Sequence, residues 1–382
     1  MGEQATAREA FVSEIYREGY AKKVGLLMVL FLLLIVVAVY SITAGSASIS
    51  LEDVALSLGG ALVNLINGVL AFVDQYVHLG YRLEAITPNS DIASVIVVDM
   101  RMPRILLAIM TGLSLAVAGA VMQGILRNPL VSPFTLGLAS ASSFGAALMI
   151  VLGTSIALPF ITGDHAVVIS AFLCGCLSML IIYGVSRMRG TSQATLILSG
   201  VVIGYIFQAG VLILKYISNN EKLKELVVWL MGGMWSANWD TIIILTPITL
   251  FCVFVMGLMA WDLNALSAGD DIAKSLGIKV ERLRLLCLFM TTLAASSCLA
   301  FTGVIGFIGL MAPHICRMLI GNDYRYLIPC SALMGAIILM VSDTFARTIM
   351  SPIEIPVGII MYIIGGVFFL YLILRGKESH IY

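Results

Sequence analysis

The sequence predicts an all-α polytopic membrane protein of about ten transmembrane helices, and three observations predict it. Of 382 residues, 60% are hydrophobic and only 12% are charged, about half the charged share of an ordinary soluble domain. Mean hydropathy is +1.03. The apolar residues form long continuous runs, which excludes the alternating segments of an outer-membrane barrel. A formal net charge of zero leaves no basic footprint for nucleic acid.

Each element follows in order. Residues 1–23 form a charged, helical, cytoplasmic lead-in, too long and too acidic for a signal-peptide n-region. A span needs about 20 apolar residues. Such runs occur at 24–43, 104–125, 131–153, 165–186, 194–215, 241–261, 283–302, 304–320, 327–348 and 356–374. They place 24–375 in one transmembrane domain, with a tail at 376–382. Residues 44–100 become an extracytoplasmic loop. Within it, 54–79 is apolar enough to score as a span but carries Asn64, Asn67, Asp74 and Gln75. Counting it as a span would invert every later loop. With both termini inside, only Arg82, Arg101, Arg104, Lys215, Lys222, Lys224 and Arg347 of the 22 basic residues lie outside, as the positive-inside rule favours. Residues 54–79 therefore read as an amphipathic extracytoplasmic or interfacial insertion.

The run 101–139 holds two arginines around a proline, then glycine, alanine and serine, then an Arg127-Asn128-Pro129 turn. Small residues let helix backbones approach closely in a bilayer. Residues 219–240 read as a short amphipathic helix ending at Gly232-Gly233, followed by Trp235 and Trp239 at an interfacial belt. The loop 262–284 is charged, cytoplasmic and patterned as a short helix with a glycine stop after Leu276. Its apolar face needs something to pack on, which points to a docking surface for a cytoplasmic partner; a solvated loop is the alternative. A short echo between 195–207 and 354–365 suggests two inverted four-helix units.

Chemistry-bearing motifs are few. The seven cysteines sit in apolar runs without a CxxC or Cys/His cluster and read as packing residues. No Walker A motif is present, so this chain carries no P-loop of its own. His314 reads as a structural histidine. Asp343 and Arg347 stand four apart within one span, acid first. Either they neutralise each other so that Arg347 reaches the outer interface, or Arg347 joins Arg101 and Arg104 at one mouth. Three such arginines would bind carboxylates of a partner or an anionic ligand. Gln123 and Asn128 read first as helix–helix hydrogen bonders and second as pathway lining.

These residues resemble a known family. The segment RMPRILLAIMTGLSLAVAGAVMQGILRNPLVSPFTLGLA, the loop GDDIAKSLGIKVERLR and the segments FTGVIGFIGLMAPHICRMLIGNDYRYLIPCSALMGA and SDTFARTIMSPIEIPVGIIMYIIGG are similar to the signatures of the FecCD-type permeases for iron-siderophores, haem and cobalamin. The first outer loop is longer than usual by the length of the insertion, and the lead-in is also long. The resemblance implies the type II ABC importer permease fold, with ten spans and a homodimer. It implies two cytoplasmic ATPase subunits that use ATP and Mg, an extracytoplasmic substrate-binding protein, and no cofactor bound directly. Arg101, Arg104 and Arg347 would dock glutamates of the binding protein. Asp270, Asp271, Ala273, Lys274, Leu276 and Gly277 would lie in a cleft of the ATPase. Thr191, Ser192 and Gln193 stand where the family has its cytoplasmic gate, although the local residues differ here.

The expected function is therefore the permease of an ATP-driven importer for a metal chelate in the cell membrane, and not an enzyme. An intramembrane enzyme using Asp343 would need a second convergent carboxylate or histidine. An ion-coupled secondary transporter would need a chain of intramembrane acids. Neither pattern is present in the sequence.

Overall fold

A computed structural model describes residues 2–45, 47, 49–77, 82–84, 90–153, 163–189 and 192–375. Thr191, the tail 376–382 and the last two positions of the 54–79 insertion lie outside the described residues. Among the described residues the chain is all helical, and nine helices are long and apolar enough to cross a membrane. Eight of these correspond to spans expected from the sequence.

The other two expected spans are shorter than their apolar runs. Residues 131–153 contain a 3-10 turn, Pro133–Leu136, before α5 (Leu138–Leu152). Pro133 opens that turn and Gly137 at φ 77° separates it from the helix. Residues 304–320 contain only α13 (Ile308–Ile320). Gly303 and Phe307 take positive φ and keep 303–307 out of the helix. Each short helix follows a long one: α5 follows α4 (Met102–Leu126), and α13 follows α12 (Val280–Thr302). Two long helices then follow each: α6 (Asp164–Arg189) and α7 (Gln193–Ile217), then α14 (Tyr324–Thr348) and α15 (Val357–Arg375). The long–short–long–long order thus occurs twice, in keeping with two four-helix units.

The lead-in and first span are one helix, α1 (Gly2–Thr43). The ninth long helix falls within α2 (Leu51–Val77), over the proposed insertion. It packs mainly on α3 (Asp91–Ser94) and the π-helical turn Val95–Arg101 that lead into α4. Asn67 closes a reciprocal pair with the Leu83 backbone, its Nδ2 donating to the Leu83 carbonyl at 3.1 Å and its Oδ1 accepting from the Leu83 N–H at 2.8 Å. The polar residues that argued against a lipid-exposed span thus include one that pins the following loop. The expected amphipathic helix is α8 (Asn220–Met231), capped by Asn219 and stopped at Gly232 with φ 69°.

The centre of the protein is α4, which packs against α14, α12, α13 and α9 (Trp239–Leu258). Its small residues make this possible. A Cβ at Gly112 would meet the Gly335 carbonyl and the Ala336 Cα of α14. One at Gly119 would meet the Gly309 carbonyl and lie 2.6 Å from the Gly309 Cα of α13. Lipid gives no hydrophobic drive for helix association, so such van der Waals contact between backbones carries the packing. By contrast α7 and α15 lie at the periphery, each 28% buried in its most apolar window.

Candidate functional site

Charged residues gather at the two ends of the bundle. At one end stand the three arginines singled out in the sequence. Arg101 is 6% exposed. Its guanidinium donates to the carbonyls of Ile42 at 2.5 Å, Thr43 at 3.0 Å and Ala47 at 2.5 Å. Arg101 therefore closes the C-terminal end of α1, where carbonyls lack helical partners. Arg347, also 6% exposed, donates through Nη2 to the Ser41 carbonyl at 2.6 Å and the Ser41 hydroxyl at 2.7 Å.

Asp343 is the hub of this end. Both of its oxygens accept from Arg104, at 3.0–3.2 Å, in the forked geometry that makes guanidinium–carboxylate pairs strong. The i,i+4 pair with Arg347 is longer, 3.6 Å. The main partner thus comes from α4 rather than from the aspartate's own helix. Arg104 has a second partner, Glu354, at 2.7 Å. Glu354 is 43% exposed while Arg104 is 16% exposed. Of the three arginines, Arg104 is the one whose donors reach an exposed carboxylate. Ser41 and Glu354 were not singled out in the sequence; the only signal for Glu354 was its place in the SPIEIPVG segment.

The opposite end is built around α10 (Ala260–Ala268) and α11 (Asp270–Ser275). The six residues expected to couple to an ATPase divide into two faces. Asp271, Lys274, Leu276 and Gly277 are exposed, and Ile272 joins them at 50%. Leu276 is 66% exposed, an apolar tip on a charged element. Ala273 is fully buried. Asp270 turns inward, where it accepts from Arg127 and, at 3.0 Å, from Arg284. Asn264 ties α10 to the α13–α14 turn, donating to Asp323 at 2.8 Å and accepting from the Tyr324 N–H at 2.8 Å. Asp323 also binds Lys23 of α1 and Arg325. The Arg325 guanidinium, helped by Asn264, holds the Asp323 carboxyl well below the usual carboxylate range.

The four polar residues considered for a pathway or gate are placed as follows. Gln123 is buried between helices, donating to the Gly309 carbonyl at 3.2 Å and accepting from Arg317 at 2.9 Å. Asn128 accepts from the Leu130 N–H and shapes the α4–α5 turn. Ser192 caps α7 by accepting from the Thr195 N–H, and Gln193 is the first residue of that helix.

The chain as a whole is similar to known proteins. The profile of the FecCD transport family matches residues 32–375. A candidate ABC transporter permease protein of Methanocaldococcus jannaschii is 42% identical over 292 residues, covering 75% of this chain and 84% of the relative. The hemin transport system permease protein of Yersinia pestis is 37% identical over 325 residues, covering 85% and 97%. A solved inward-facing structure of a candidate metal-chelate type ABC transporter is 31% identical with a TM-score of 0.75, covering 91% of this chain and 98% of that one.

Proposed function

The chain belongs to the FecCD transport family, and from that premise we propose that it is the permease subunit of an ATP-driven importer for a metal chelate: a ferric siderophore, haem or a corrinoid. The hemin permease of Y. pestis and the metal-chelate type neighbour support this cargo class. The permease works by alternating access in the cell membrane and makes or breaks no bond. ATP and Mg belong to two separate ATPase subunits bound at the α10–α11 end. A second copy of this chain covers part of the apolar faces of α7 and α15. Both termini are cytoplasmic, which the distribution of Lys and Arg supports.

The observation that carries the reading is the exposed Ile272–Leu276 tip. It is apolar surface on a short charged helix, in a chain without a P-loop. Such surface asks for a protein partner. Leu276→Asp is expected to reduce co-purification of the ATPase subunits and to abolish ATP-dependent uptake, with the permease still present at wild-type level in membranes. Wild-type uptake by this variant would overturn the docking role.

The opposite end is the docking site for a substrate-binding protein. Arg104 is the arginine to test, because its Nη1 reaches the exposed Glu354, whereas Arg101 and Arg347 have their donors on the carbonyls and hydroxyl of the α1 end. Arg104→Glu places a like charge against an acidic partner and also against Asp343, so it is assayed beside Arg104→Gln at equal amounts of monodisperse protein. It is expected to weaken binding-protein affinity by about tenfold or more, read by surface plasmon resonance on the purified permease. Unchanged affinity would show that the acidic partner is read elsewhere. An intramembrane enzyme gains no support, because the Asp343 carboxylate is held by Arg104 and Arg347.

A further inference from the structure

Asp270 does not share the exposed face of the helix it begins. Arg127 and Arg284 reach its carboxylate from two other elements. Arg127 is the residue that ends α4, in left-handed conformation at φ 42°. Its Nε also donates to the Leu266 carbonyl of α10 at 3.0 Å. Arg284 lies in the first turns of α12, is 5% exposed, and donates through Nε to the Ile125 carbonyl of α4 at 3.3 Å. One carboxylate therefore joins α11, the end of α4 and the start of α12. Charge-assisted guanidinium–carboxylate bonds hold geometry more firmly than neutral ones.

The geometry points to Asp270 as a positioning residue that locks the α11 helix to α4 and α12, so that force applied at the Ile272–Leu276 tip enters the membrane helices through α4. The same helix carries the Gly112 and Gly119 contacts to α14 and α13 and holds Arg104 near its other end. A displacement at the Asp270 clamp is thus applied to the most buried of the long helices among the described residues. Asn264 on Asp323 and Tyr324 anchors α10 separately, so loss of the Asp270 clamp loosens α11 without releasing the whole loop.

This rests on the permease reading, and the test separates the two. Permease variants are purified with the ATPase subunits, and ATP hydrolysis is measured per assembled complex with and without the binding protein. Asp270→Asn is expected to retain bound ATPases, and its stimulation is referred to its own basal rate at equal ATPase content. Stimulation of hydrolysis by the binding protein should fall by about tenfold. Asp270→Glu, which keeps the charge, should restore most of the stimulation. Arg127→Gln leaves Arg284 on the carboxylate and should give an intermediate loss; it carries the test if Asp270→Asn does not accumulate. Wild-type stimulation in Asp270→Asn, or loss of ATPase co-purification as in Leu276→Asp, would overturn the clamp. A wild-type chain that neither co-purifies with ATPases nor shows stimulation would instead overturn the permease reading.

Discussion

Asp343→Ala is expected to be among the most damaging substitutions in this protein, and to act through folding. The residue is 2% exposed and is the shared anion of Arg104 and Arg347. Removing one partner of a buried ion pair costs about 3–5 kcal/mol, because the remaining charge is left uncompensated. Here two guanidinium groups lose their common carboxylate, and the remaining nearby acid, Glu354, is bound to Arg104 alone at the exposed edge. The expected readouts are a lower thermal midpoint in detergent and reduced accumulation in membranes. Asp343→Asn keeps an acceptor for Arg104 and should fall between alanine and wild type. The double variant Arg104→Gln with Asp343→Asn removes one of the orphaned charges and should recover part of the loss. A midpoint unchanged in Asp343→Ala would mean that the arginines are compensated from elsewhere. An intramembrane enzyme would behave differently, with normal folding and no turnover in Asp343→Asn.

The physical reasons for what the sequence discloses differ from residue to residue. The small-residue run after Arg104 is legible because glycine and alanine at depth in a bilayer have few uses other than close packing, and Gly112 and Gly119 are at such contacts. The stop after Leu276 is legible because Gly277 takes φ 84°, which other residues adopt with strain. Helix phase is less legible on short elements. Asp270 and Asp271 are neighbours in sequence, yet one turns inward to two arginines and the other faces solvent. A single chain offers no sign of which acid has a partner waiting on another helix. The same limit applies to Asp343. Its i,i+4 neighbour Arg347 is visible in the sequence, while the closer partner Arg104 lies on α4, which only the fold brings alongside. The two short helices illustrate a third case. Hydropathy counts apolar residues whether or not the backbone is helical. It therefore ran through Pro133–Gly137 and Gly303–Phe307 without registering the breaks.

Gly119→Leu is expected to prevent assembly of the native bundle. At this position the backbones of α4 and α13 are close enough that even a Cβ would overlap the Gly309 carbonyl group, with the Gly309 Cα at 2.6 Å. Relief requires one helix to move as a unit, since the obstacle is main chain and not the end of a flexible side chain. Overpacking of a well-packed core costs about 1–3 kcal/mol for a few added methylenes, and more when the backbone must shift. The α4–α13 contact also aligns Gln123 with the Gly309 carbonyl and Arg317, so separation breaks one buried and one half-buried hydrogen bond as well. Gly119→Ala should therefore lower the thermal midpoint clearly, and Gly119→Leu should leave little monodisperse protein on size exclusion. Gly184 provides the control, because a Cβ there meets nothing within 4 Å. Alanine is favoured over glycine inside a helix by about 1 kcal/mol, so Gly184→Ala should hold or raise the midpoint. The sign of the effect then depends on what faces the residue and not on glycine as such. A Gly119→Leu protein with the wild-type midpoint would mean that α4 and α13 do not approach at this point. The path from the Asp270 clamp into the bundle would then have to run through α12.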